Sequence, residues 1–101
     1  MLQFKDNGLI PAIIQDANSG EVLMLGYMNE ESIRLTREYG QVVFYSRSRQ
    51  EIWHKGATSG NFLNVREMKT DCDEDTILIR ADPVGPVCHT GARACFFNEV
   101  P

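Results

Sequence analysis

The chain has 101 residues, 43% of them apolar and 24% charged, the make-up of one compact folded domain over 1–101, which excludes a disordered chain and a two-domain one. Its formal net charge of −4 argues against non-specific nucleic-acid binding, which rests on a basic face. No apolar run is long enough to span a bilayer and no Lys/Arg-led apolar leader opens the sequence, so neither a membrane partner nor a signal peptide is expected and cytoplasmic residence is the default.

Leu9 to Gln15 and Val22 to Met28 are apolar runs joined by Asp16-Ala-Asn-Ser-Gly20. The Asn, Ser and Gly of that link predict a hairpin loop. Asn29 predicts a helix N-cap, and Glu30 and Glu31 suit the positive end that follows it. Ile33, Leu35 and Tyr39 give the helix a partial apolar face, and Gly40 is its stop. Gln41 to Ser46 predicts a strand by its β-branched and aromatic content. Ser46 to Gly60 has little apolar periodicity and two glycines, which predicts a functional loop with a short strand at Ile52–Trp53. Phe62 to Lys69 and Thr76 to Arg80 predict a second strand pair around an acidic cluster. Ala81 to Pro86 holds two prolines and predicts a turn region, and Cys88 to Cys95 a loop or a short helix. The fold class is therefore a strand-dominated α+β domain with one clear helix.

Four groups of residues can carry chemistry. Cys72, Cys88 and Cys95 are an odd number of cysteines, which does not suit a disulfide scaffold. Thiolates suit tetrahedral Zn²⁺, and a catalytic zinc site keeps three protein ligands and leaves one position for water. His89 directly follows Cys88, and adjacent residues seldom both reach one ion. The plainer reading is a set of buried thiols, since Cys-x6-Cys is not a standard zinc-finger spacing. Asp71, Asp73 and Asp75 would share one face of an extended segment, with Cys72 and Glu74 on the other. Three such carboxylates repel one another unless a cation joins them, and oxygen ligands suit Mg²⁺ or Ca²⁺; a solvated acidic turn is the alternative. Arg47, Ser48, Arg49, Lys55, Thr58 and Ser59 offer the forks and hydroxyls that match phosphate oxygens, or form a solvated polar loop. Trp53 beside His54 can stack on a base or fill core. Of the two histidines, His89 neighbours a candidate zinc ligand, where a proton shuttle is useful; either can equally be a surface residue.

Seven segments together resemble the phosphoribosyl-AMP cyclohydrolase family of histidine biosynthesis. They are Gly8-Leu-Ile-Pro-Ala12, Gly20-Glu-Val-Leu-Met24, Tyr45-Ser-Arg-Ser-Arg49, Trp53-His-Lys-Gly56 with Thr58-Ser-Gly60, Asp71-Cys-Asp73 with Asp75, and Gly85-Pro-Val-Cys-His-Thr-Gly91 with Cys95. Each is weak alone; their order and spacing are specific, and nothing departs from the pattern at the metal or histidine positions. The resemblance implies an intertwined homodimer with two sites at the subunit interface. It implies that each zinc takes Cys72 from one subunit and Cys88 plus Cys95 from the other, and that Asp71, Asp73 and Asp75 bind Mg²⁺. It also implies a stand-alone form, without the pyrophosphohydrolase domain that some members carry as a C-terminal fusion. The implied activity is hydrolytic opening of the adenine ring of a small nucleotide, phosphoribosyl-AMP, at N1–C6. His89 would be the catalytic proton shuttle, Trp53 and His54 the base pocket, and the basic and hydroxyl residues above the phosphate contacts. Two other classes compete: a non-enzymatic zinc module, which needs a closed four-ligand site, and a thiol redox protein, which lacks the usual Cys-x-x-Cys.

Overall fold

A computed structural model describes residues 1–101. In chain order the elements are β1 (Ile10–Asp16), β2 (Val22–Met28), α1 (Glu30–Tyr39), β3 (Val43–Ser46), β4 (Glu51–His54), β5 (Leu63–Thr70) and β6 (Ile77–Pro83). Four strands make one sheet in the order β2-β1-β6-β5, and β3 pairs with β4 in a second. The β1–β2 hairpin falls where the apolar runs and the Asp16–Gly20 link place it, with Ile10 opposite Met28 and a register shift at Ile14/Gln15. Strand β6 pairs parallel to β1 and antiparallel to β5. No helix is long and apolar enough to cross a membrane.

The core follows the period-2 pattern of the strands. Ile10, Ala12 and Ile14 of β1 and Ile77, Ile79 and Ala81 of β6 are buried on one face, where Met28, Ile33, Phe44 and Leu63 join them. The opposite face carries half-buried Ile13 and Leu78 beside Leu25, which is 43% exposed.

Two expectations are corrected here. Ala81 to Pro86 is not a turn throughout: β6 runs on to Pro83. Ala81 pairs with Asp16 on one side and Val65 on the other, and Pro83 closes the ladder opposite Leu63. Proline is tolerated at the strand's last position, where the loss of its N–H breaks little of the ladder. The helix also buries a different face. Asn29 caps it by accepting from the Ser32 amide at 2.8 Å, while the Asn29 amide donates to Ser32 Oγ at 2.9 Å, and Gly40 ends it as expected. Ser32, Ile33 and Thr36 are buried, whereas Tyr39 is half exposed. Thr36 Oγ1 accepts from the Val43 amide at 2.9 Å and donates to the Ser32 carbonyl at 2.8 Å. A small hydroxyl thus lets the helix sit close to β3 with its polar groups satisfied.

The second sheet is seated by two glycines. A Cβ on Gly26 would lie 2.6 Å from the Phe44 ring, so β3 packs on β2 only because residue 26 has no side chain. Gly56 has φ +93° and a Cβ there would lie 2.6 Å from the Phe62 amide nitrogen. That close approach folds residues 55–62 back over the end of β4.

Candidate active site and metal centre

Segment 84–97 carries two of the three cysteines and contains neither helix nor strand. It is a loop closed on itself, with the Val87 amide donating to the Arg93 carbonyl at 3.2 Å and the Cys88 amide to the Ala92 carbonyl at 3.1 Å. The loop is then fastened to the β1–β2 hairpin. The Cys95 amide donates to the Leu23 carbonyl at 2.7 Å. Arg93 Nη2 donates to Asp16 Oδ2 at 2.8 Å and its Nε to Glu21 Oε1 at 2.5 Å. Asp16 is buried and also accepts from the amides of Asn18 and Ser19. Those two amides, joined by the Arg93 guanidinium, hold its carboxyl below the usual value of 3.8 despite burial.

The fastened loop brings the thiols of Cys88 and Cys95 within reach of each other. Cys88 is buried and receives a hydrogen bond from Thr90 Oγ1 at 3.1 Å. Thr90, through its hydroxyl and amide, pulls the Cys88 thiol below its ordinary value, whereas burial pushes the Cys95 thiol up. Cys72 is not with them. It is exposed in the 71–75 turn at one end of β6, and the Cys88 loop follows the other end. Seven residues of β6 separate those ends by roughly 20 Å at about 3.3 Å per residue. A single chain therefore offers a pair of thiols in one place and the third out of reach.

The Asp71–Asp75 segment is a turn and not the extended stretch expected from alternation, with Glu74 at φ +60°. The three aspartates nevertheless converge: ligand oxygens of Asp71, Asp73 and Asp75 lie within 4.8 Å of one another. The cause is the fold of the turn. Asp71 Oδ1 accepts from the Asp75 amide at 3.1 Å and the Thr76 amide at 3.2 Å, curling the backbone around one carboxylate. Desolvation by the neighbouring atoms of the turn pushes the exposed Asp71 carboxyl up, but hydrogen bonds from Asp75 and the Asp75 and Thr76 amides outweigh it and leave the value lowered. Asp75 is raised by its hydrogen bonds with Asp73 and Asp71 and by their charge. Like charges held together this way share a proton or a cation.

Trp53 borders two cavities. One, of about 330 Å³, is lined by Lys55, Thr58, Ser59, Cys88 and His89 together with Trp53. The other, of about 480 Å³, is lined by Tyr27, Tyr45, Ser46, Arg47 and Ser48, again with Trp53. The fold thus joins Trp53, Lys55, Thr58, Ser59, Cys88 and His89 from separate segments. It places Arg47 and Ser48 apart from them, with the Arg47 guanidinium 4.0 Å over the Tyr27 ring.

Two expected contacts stand elsewhere, and a third is buried. His54 alternates to the opposite face of β4 from Trp53 and lines neither cavity; its Nε2 is 2.9 Å from Gln41 Oε1 and its ring stacks on Tyr39 at 5.2 Å. Arg49 lines neither cavity and pairs with Glu51 at 3.5 Å. Lys55 is buried, with Nζ donating to the Val87 carbonyl at 2.5 Å, so it lies on the cavity floor beside the thiols. Sequence reasoning missed the Asp16–Arg93 clamp and the tyrosine pair of the larger cavity. Asp16 ahead of Asn18 and Ser19 carried an Asx-turn signal; the tyrosines carried none.

The donor sets fit the expected ions. Two apposed thiols, one polarised by a hydroxyl, suit a soft divalent metal with room for a further ligand, and three convergent carboxylates suit a hard one. A cavity lined by Cys88, a histidine and a tryptophan, with a lysine and hydroxyls beside them, is the kind of concave polar pocket that enzymes use for small ligands. The sequence comparisons name the family. Residues 24–97 match the family model described as phosphoribosyl-AMP cyclohydrolase. A phosphoribosyl-AMP cyclohydrolase of Streptococcus sanguinis is 58% identical over 95% of this chain and 84% of its own length. One of Clostridium beijerinckii is 58% identical over 95% of this chain and 88% of its own. The histidine biosynthesis bifunctional protein HisIE of Shigella flexneri is 57% identical, over 93% of this chain but 46% of its own length. The chain belongs to the phosphoribosyl-AMP cyclohydrolase family, a family of enzymes.

Proposed function

We propose that this chain opens the adenine ring of phosphoribosyl-AMP by hydrolysis at N1–C6, as a step of histidine biosynthesis, at a zinc site completed by two copies of the chain. In each site Cys88 and Cys95 come from one copy and Cys72 from the other. The observation that carries this reading is the separation of the thiols: Cys88, with Cys95 beside it, lines a cavity holding Trp53 and His89, and the third thiol is exposed at the far end of β6. The apolar row Leu25, Ile13 and Leu78 on the outer sheet face supports an association of two copies.

Zinc, when bound, supplies a water acidic enough to react near neutral pH. In the reaction the water oxygen bonds to C6, the C6–N1 bond breaks and N1 takes a proton, giving the formimino-aminoimidazole carboxamide ribotide. The N1 ribosyl group already makes C6 electrophilic, and the leaving group is the ring nitrogen, unlike the exocyclic amine lost in zinc deaminases. His89, on the cavity rim, takes the proton from the water and delivers it to N1. Trp53 stacks on the base. The nucleotide has a phosphate at each end, and the two cavities flank Trp53, so Thr58 and Ser59 meet one phosphate and Arg47 and Ser48 the other, with Arg49 beside them. Asp71, Asp73 and Asp75 hold Mg²⁺.

The test is turnover of phosphoribosyl-AMP, followed by its ultraviolet change. Loss of activity on zinc removal and its return on zinc addition are expected; full activity in verified zinc-free protein overturns the zinc role. His89→Ala is expected to slow the chemical step by about 10²- to 10⁴-fold with zinc content unchanged. An unchanged rate removes His89 from the mechanism.

A further inference from the structure

Lys55 has an environment that phosphate binding does not explain. Its side chain is only 8% exposed. Its Nζ donates to the carbonyl of Val87, the residue before Cys88, and lies 5.3 Å from the centre of the Trp53 ring. Its own amide donates to the Val42 carbonyl at 3.1 Å, which ties it to the start of β3. No carboxylate pairs with it. Cys88 lines the same cavity as Lys55, and its thiol and that of Cys95 are the groups near the ammonium that can carry negative charge. A buried ammonium without an anion is costly, and one with a counter-charge is not.

We propose that Lys55 is a positioning residue of the thiol site, holding the Val87–Cys88 backbone in place and serving as the fixed counter-charge of the metal-binding thiolates. The proposal rests on the reading that Cys88 and Cys95 hold zinc. Three thiolates around a divalent ion leave one net negative charge, and one buried ammonium cancels it. The same contact sets the direction of Cys88, since a lysine hydrogen-bonded to residue 87 restricts the peptide that follows. In this role Lys55 acts through the ligands and touches no phosphate.

The experiment measures zinc affinity, by competition with a chromophoric chelator, for wild type, Lys55→Met, Lys55→Arg, Cys88→Ser and Cys95→Ser. Lys55→Met keeps the aliphatic bulk and removes the charge; it is expected to weaken zinc binding about 10- to 100-fold, the usual effect of losing an outer-shell partner. Lys55→Arg is expected to recover part of that loss. Wild-type affinity in Lys55→Met, with both serine variants impaired, overturns the role of Lys55 and leaves the zinc site standing. Wild-type affinity in the serine variants overturns the zinc reading and the proposal with it. A raised KM for phosphoribosyl-AMP at unchanged zinc affinity in Lys55→Met returns the residue to phosphate binding and overturns the proposal. If the variants do not fold, the Lys55 Nζ signal in the ¹⁵N spectrum of the wild-type protein decides. A shift on zinc addition supports the assignment, and an unmoved signal overturns it.

Discussion

The thiol loop at 84–97 and the acidic turn at 71–75 stand at opposite ends of β6 and are built in opposite ways. The loop is fastened to other parts of the fold: Arg93 to Asp16 and Glu21, the Cys95 amide to Leu23, and Val87 to Lys55. The turn is organised mostly by its own residues around Asp71, with the N-terminal segment touching it through Glu74, and its aspartates and Cys72 face solvent. A region whose ligands are held from several sides is preorganised before any metal arrives. A region that offers exposed ligands on a short turn does its binding at a boundary. The contrast is what the proposed two-copy site requires, with its fixed half and its presented half on different copies of the chain.

The largest effect expected is in subunit mixing. Cys72→Ser and Cys95→Ser are each expected to be inactive alone. Mixed and re-equilibrated, they are expected to recover about a quarter of wild-type turnover, the statistical share for random two-fold dimers in which one of two sites is whole. No recovery on verified exchange breaks the two-copy arrangement.

Next in size is the fastening of the loop. Arg93→Met is expected to raise the alkylation rate of Cys88 in zinc-free protein about tenfold, the scale of losing charge-assisted hydrogen bonds from a closed segment. Asp73→Asn, in the other region, should leave that rate alone. Equal rates in Arg93→Met and wild type would mean that the clamp does not hold the loop.

A smaller effect is the pH dependence of the clamp. Asp16 has a folded value depressed below 3.8. Its contribution to stability is therefore complete above that ordinary value and is lost as pH falls through the folded one. Asp16→Asn is expected to lower the urea midpoint at pH 7, with the gap from wild type closing in acid. A gap that is constant with pH argues that the carboxylate charge contributes nothing. Smallest is Asp73→Asn itself. It is expected to leave Tm within about 2 °C of wild type, because the side chain is exposed and its loss relieves repulsion, while weakening Mg²⁺ binding measured by calorimetry.

Local signals were read correctly where the determining chemistry lies within a few residues. The Asp16–Gly20 hairpin, the Asn29 cap and the Gly40 stop are of that kind, and the short strand expected at Ile52–Trp53 runs one residue further at each end. The extension of β6 to Pro83 was not legible, because Ala81 is a strand residue only through partners at Asp16 and Val65. The buried face of α1 was misjudged because Thr36 is accepted by the core through a hydrogen bond to Val43, which composition does not register. The acidic cluster was foreseen for the wrong reason, since its convergence comes from a turn around Asp71 and not from strand alternation.

Sequence alone determined the family, through the order and spacing of its short segments, and with it the candidate residues for metal binding and proton transfer. Only the tertiary structure decided how those residues are grouped. It put His54 on the face away from Trp53, sank Lys55 beside the thiols and set Cys88 with Cys95 in one fastened loop. It also held Cys72 at the far end of a seven-residue strand. The reason is that ligand identity is a property of single side chains, whereas reach is set by which strands pair and how long they run.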